Sequence, residues 1–142
     1  MDFNHMDSAG YLVNHIARLF ADGLRRRVEP LGIVPGQFPA LLELWIEDGQ
    51  TQKQLVEKLD IEQATLAYTL GRMERDGLIT REEHPDDRRS RIVYLTDKAK
   101  AIRDDAYAAA HETNTIAMST LSKSEQKQFV DFMQRIIKVM RD

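Results

Sequence analysis

Apolar residues recur at helical spacing along most of this chain and switch to alternation only in one short stretch. Leu12, Ile16, Leu19, Phe20, Leu24 and Val28 are three or four positions apart, which predicts a first helix, ended by Pro30 and Gly32. A second helix starts near Pro35, carries Phe38, Leu41, Leu42 and Trp45 on one stripe, and stops before Asp48-Gly49. Pro39 falls in its first turn, where a missing N–H costs little. Thr51-Gln52-Lys53-Gln54 has the spacing of a capping box and opens a short helix with Leu55 and Leu59. After the turn Asp60-Ile61 a longer helix runs from about Gln63 to Asp76, with Leu66, Leu70 and Met73 inward, and Gly77 closes it. Leu78-Ile79-Thr80-Arg81 and Arg91-Ile92-Val93-Tyr94-Leu95 then read as two antiparallel strands, joined by a long charged tip from Glu82 to Ser90. Thr96 caps a further helix containing Ala99, Ile102, Ala106, Ala109, Ala110 and Ile116. Ser122-Lys123-Ser124-Glu125, a second capping box, opens a last helix with Phe129, Phe132, Met133, Ile136, Ile137 and Met140. No internal repeat or low-complexity linker interrupts this order.

The expected fold class is therefore mainly α with a small antiparallel β-wing. The chain has 142 residues, the length of one domain. It has no cysteine, which excludes a disulfide scaffold, a thiol nucleophile and a cysteine zinc site. No apolar run approaches the roughly 20 residues of a membrane span, and Met1 to Gly10 has no signal-peptide pattern, so a soluble cytoplasmic protein with no membrane partner is expected. The formal net charge is -3, which alone argues against a nucleic-acid binder. Its distribution changes that picture. Residues 1–50 carry four basic and seven acidic groups, residues 51–103 eleven and ten, and residues 104–142 five and six. The middle third alone is not acidic, and its basic groups gather around Arg88, Arg89 and Arg91.

Short helix, turn, longer helix and hairpin, in that order, fit a winged helix-turn-helix. The second helix of such a unit enters the major groove, where its N-terminal side chains reach base edges. A basic hairpin tip can reach the neighbouring minor groove. Helical phase commits Leu66, Leu70 and Met73 to the core and leaves Gln63, Ala64, Thr65, Ala67, Tyr68 and Arg72 for contact. Gln63 can bond adenine, Thr65 a thymine methyl or a phosphate, and Tyr68 and Arg72 a phosphate or a base. An ordinary amphipathic helix with a solvated face is the plainer reading. The hairpin weighs against it, because Asp86, Asp87, Arg88, Arg89 and Arg91 make an unusual tip: Asp87 is expected to pair with an arginine and orient it, while another arginine enters a groove. A solvated charged turn is the competing account.

At these residues the sequence resembles a known family. From Ile61 to Lys100 it is similar to the MarR family of bacterial winged-helix regulators, and most of all to the SlyA branch. The resemblance is carried by Ile61-Glu62-Gln63-Ala64-Thr65-Leu66, by the run from Leu70 to Ile79, and by Asp87-Arg88-Arg89-Ser90-Arg91-Ile92-Val93-Tyr94-Leu95-Thr96. The family's wing pattern, aspartate, any residue, arginine and a strand ending leucine-threonine, is met by Asp87, Arg89, Leu95 and Thr96. Looser similarity extends over the full length. The resemblance implies a single MarR-type domain over 1–142. Residues 33–96 would form the DNA-binding lobe, with its recognition helix at about 63–76 and its wing at about 78–96. Residues 7–32 and 97–142 would form an N- and C-terminal helical dimerisation lobe. It also implies homodimers on pseudo-palindromic operators, Arg89 in the minor groove, Arg88 and Arg91 at the tip or on phosphate, and a small aromatic or phenolic ligand. Some positions depart from the pattern. Glu62 stands where serine or aspartate usually caps the recognition helix. Gly71 lies inside that helix, Tyr68 replaces a common basic residue, and Ala99 replaces a frequent glycine.

The last helix is apolar over more than one narrow stripe, from Phe129 to Met140, and so is the first, which predicts that a twin chain covers both. His15, Arg18, Phe38 and Trp45 are candidates for an aromatic-acid site, although core packing of the two aromatic rings explains them as well. His5, His15, His84 and His111 show no metal-ligand spacing, so no metal or cofactor is expected. Nor is there a phosphate loop or nucleophile elbow to suggest an enzyme. The expected function is a homodimeric, sequence-specific DNA-binding repressor relieved by a small ligand. The alternative is a helical protein-interaction module or anti-repressor without ligand control.

Overall fold

The computed structural model describes residues 1–142. Its helices are α1 (Ala9–Val28), α2 (Phe38–Ile46), α3 (Gln52–Leu59), α4 (Gln63–Arg75), α5 (Asp97–Ala101), α6 (Arg103–Ala117) and α7 (Lys123–Arg141). Three strands, β1 (Gln50–Thr51), β2 (Ile79–His84) and β3 (Asp87–Leu95), form one antiparallel sheet in the order β1-β3-β2. The fold is mainly helical with a small antiparallel wing, as the periodicity predicts.

Local chemistry sets the boundaries. Ser8, Thr51, Thr96 and Ser122 each accept a backbone N–H with their hydroxyl and start α1, α3, α5 and α7. Gln54 and Glu125 return the bond to the cap backbone, completing both expected capping boxes. Gly77, at φ +77, closes α4 with the Leu78 N–H on the Met73 carbonyl at 2.9 Å. Asp60 closes α3 in the left-handed region at φ 53, which aspartate tolerates better than most side chains.

Seventeen buried apolar residues form the core. Leu41 and Leu44 of α2, Leu55 of α3, Leu66, Leu70 and Met73 of α4, and Leu78, Ile79 and Val93 around the sheet meet there. It thus lies under the helix-turn-helix and at the root of the wing. The two ends of the chain contribute little: α1 buries only Val28, and α7 buries no residue.

Three features differ from the sequence reading. The wing strands are longer than expected and the tip tighter, with Pro85-Asp86 as the turn and a register shift at Glu83/His84. Exposed strands need backbone pairing but not an apolar alternation, so this extension left no pattern. The strand β1 is too short to show a period. It is held by Gln50, whose Nε2 donates to the carbonyls of Glu43 and Glu47 at the end of α2. The helix expected after Thr96 breaks at Ile102 into α5 and α6, with Asp104 and Asp105 in the first turn of the new helix, where its dipole favours acids.

Candidate nucleic-acid interface

The turn at Asp60 sets α4 across α3, and burial of Leu66, Leu70 and Met73 fixes its rotation. The opposite side presents Gln63, Ala64, Thr65, Tyr68 and Arg72 to solvent, with Ala67 half-buried at the edge. Glu62 makes no capping bond, and the backbone N–H groups of Gln63, Ala64 and Thr65 donate to nothing within the chain. Free amides at the positive end of a helix are suited to a phosphate. One turn on, the Arg72 Nη1 donates to the Tyr68 hydroxyl at 3.0 Å and its guanidinium lies 5.6 Å from the ring centre. The tyrosine thus holds a cation at the position where the sequence lacks one.

Arg88, Arg89 and Arg91 are exposed on β3. Asp87 does support the tip, but not through the expected guanidinium pair: its Oδ1 accepts the backbone N–H of Arg89 at 3.0 Å. That contact shapes the turn and leaves the arginine side chain free. Glu83 stands opposite Arg91 in the sheet register without pairing to it. Of the chain's 13 arginines, eight have a carboxylate within 4.0 Å. The five without one are Arg18 and the four at Arg72, Arg88, Arg89 and Arg91. Four of the five unpaired arginines thus lie on α4 and β3, while Arg75 of α4 and Arg81 of β2 are paired within the fold.

Helix and wing are tied together by a residue the sequence reading passed over. Arg81 of β2, mostly buried, donates from Nη2 to Glu74 of α4 at 3.2 Å and from Nη1 to Gln52 of α3 at 3.5 Å. Its Nε is buried without a partner. A Cβ at Gly71 would lie 3.9 Å from this guanidinium, an ordinary contact, so the arginine crossing does not itself require the glycine. The Arg81 hydrogen bond holds the Glu74 carboxyl below its usual range. At the foot of α4, Gln37 Nε2 donates to Asp76 at 3.0 Å and, with Arg75, lowers that carboxyl too. Alternation from Ile79 puts Arg81 on the inward side of β2, but it does not name the partners on α3 and α4.

A model of the MarR family matches residues 33–90. A MarR transcriptional regulator from Methanosarcina mazei Go1 is 29% identical, with a TM-score of 0.85 over 91% of this chain and 93% of that one. A probable transcriptional regulator from Pseudomonas aeruginosa is 28% identical, with a TM-score of 0.86 over 94% and 99%. AbfR, in a structure of its reduced form bound to DNA, is 27% identical, with a TM-score of 0.75 over 93% and 91%. Over the matched residues and in fold, the chain is similar to MarR-family winged-helix transcriptional regulators. Members of the MarR family are transcription regulators, not enzymes.

None of the four residues considered for a ligand, His15, Arg18, Phe38 and Trp45, lines either of the two large grooves of the chain. Phe38 is buried and packs edge-on to Trp45 at 6.0 Å, and Trp45 donates its indole N–H to the Ala99 carbonyl at 3.0 Å. His15 and Arg18 are exposed on α1. These grooves, of about 500 and 1140 Å³, lie where α1 faces α6 and α7. Phe20, Met118 and Phe129 line both. No group of three or more His, Asp or Glu is placed to hold a metal, and no helix is long and apolar enough to cross a membrane.

Proposed function

We propose that this chain is a homodimeric, sequence-specific repressor that occupies a pseudo-palindromic promoter site. The observation that carries the reading is the concentration of unpaired arginines on one recognition helix and its wing. Gln63, Ala64, Thr65, Ala67, Tyr68 and Arg72 would read or flank the major groove, Arg89 would enter the minor groove, and Arg88 and Arg91 would make wing-tip or phosphate contacts. In this reading residues 33–96 bind DNA. Residues 7–32 and 97–142 bind the twin chain, which would seat its own terminal helices in the grooves beside α1 and α7 and bring two recognition helices to successive turns of one duplex. The SlyA-like branch rests on the wing run Asp87 to Thr96.

The test is duplex affinity against salt, with DNA taken from upstream of the protein's own gene. Affinity should fall steeply as salt rises, because each neutralised phosphate releases counterions. Binding that ignores salt, or no binding, would favour an interaction module. Relief by a small aromatic acid belongs to the same proposal and draws its support from the family resemblance. Trp45 stands edge-on between Phe38 and Tyr107, so its fluorescence reports on the seam between α2 and α6. A panel of aromatic acids should include one that changes it and weakens DNA binding at the same concentration.

A further inference from the structure

Helix α7 buries none of its residues, yet its far end is fastened. The Arg141 Nε lies 2.9 Å from Asp60 Oδ2 and 3.2 Å from Oδ1, and its Nη2 donates to the Glu57 carbonyl at 2.7 Å. These are the only hydrogen bonds from α7 to any residue before Met118, and all of them land on the end of α3. That end needs them. The Asp60 N–H closes on the Val56 carbonyl, but Glu57 is among the last four carbonyls of α3 and has no donor from its own helix. A guanidinium there satisfies it and suits the negative end of the helix. Asp60 is also the single non-glycine residue with positive φ, and α4 begins three residues later.

We infer that Arg141 is a positioning residue: it latches the C-terminal helix onto the helix-turn-helix turn, so that where α7 sits sets where the recognition helix points. The inference rests on the DNA-binding reading above for its consequence, though not for the latch itself. If α7 packs against its twin, one latch on each protomer carries the dimer geometry directly to each recognition helix. A small shift of α7 then alters the separation of the two probes without passing through the core.

The experiment has two arms, on the full-length chain with Arg141→Ala, Arg141→Lys and Asp60→Asn, all checked for an unchanged melting midpoint and dimer fraction. Asparagine keeps the left-handed turn accessible while removing the charge. In the first arm, hydrogen exchange of peptides spanning residues 57–66 is followed without DNA. Arg141→Ala should speed exchange there about three- to tenfold, Arg141→Lys should restore most of the protection, and unchanged exchange in Arg141→Ala overturns the latch. In the second arm, duplexes are selected from a randomised pool and their half-site spacings counted. Wild type should enrich one spacing and Arg141→Ala a broader set. One shared narrow spacing, with exchange accelerated, would make Arg141 a mere fastening and overturn the positioning role. A wild-type chain that enriches no duplex sinks the DNA-binding reading, and the exchange arm still decides the latch.

Discussion

Arg89 and Gly49 show how much a single position carries when its neighbours leave no freedom. Arg89 is exposed, bears no ion pair, and has its backbone pinned by Asp87, so its side chain is available and its loss costs the fold nothing. Arg89→Ala should weaken duplex binding by about 1–3 kcal/mol, measured by titration at fixed salt, with an unchanged melting curve. Equal affinity for the two proteins would remove the wing from the interface. Gly49 is the opposite case, with no side chain to offer and a high cost of replacement. It sits at φ +76, and a Cβ there would meet the Tyr94 ring at 2.9 Å. Gly49→Ala should destabilise the chain by at least about 1–2 kcal/mol through the left-handed backbone alone. The readout is a lower urea midpoint with the slope unchanged.

At the scale of elements, the tie between α4 and β2 makes stability depend on acid. Arg81 depresses the Glu74 carboxyl and Gln37, with Arg75, depresses Asp76, from ordinary values of 4.5 and 3.8. A carboxyl whose folded pKa is lowered stabilises the fold fully above its unfolded value, and the gain is lost as pH falls through the folded one. Stability should therefore decline as the solution is acidified below about pH 4.5. Glu74→Gln should flatten that decline, and since Glu74 is well exposed its cost at pH 7 should stay below about 1 kcal/mol. Denaturant midpoints from pH 7 to 3 check both statements; identical slopes would mean that Arg81 does not hold Glu74. The contrast with sequence reading is physical. Helices α1 to α4 were legible because Leu66, Leu70 and Met73 must recur with the turn of a helix, and because hydroxyl caps and glycines have local causes. The exposed set on α4 followed from the same phase. The wing's outer half, β1, and the crossings made by Arg81 and Arg141 were not legible, since each depends on a partner 7 to 84 residues away. Of the four residues considered for a ligand, Phe38 and Trp45 pack on each other in and against the core, while His15 and Arg18 are exposed on α1.

For the whole molecule, the exposed apolar faces are the largest unsettled term. Val13, Ile16 and Leu19 on α1, and Phe132, Ile136, Ile137, Val139 and Met140 on α7, are all exposed in the single chain. Isolated exposed apolar residues need no explanation, but two helices of 20 and 19 residues carrying continuous faces do. The proposed twin chain would remove both from water at roughly 25 cal/mol per Å² of apolar surface. Ile137 is 54% exposed in the monomer, so Ile137→Glu leaves the core of each chain intact and places a charge in the proposed seam. Light scattering should report a dimer for wild type at micromolar concentration and a monomer for the variant. The functional consequence follows from linkage. In the proposed dimer each recognition helix would hold one half-site, and tethering the second would make its binding intramolecular, which is worth on the order of a hundredfold or more. Ile137→Glu should thus lose about that much affinity for a two-half-site duplex while binding a single half-site as well as wild type does. A variant that dissociates yet keeps full affinity would show that the arginine-bearing face acts one chain at a time.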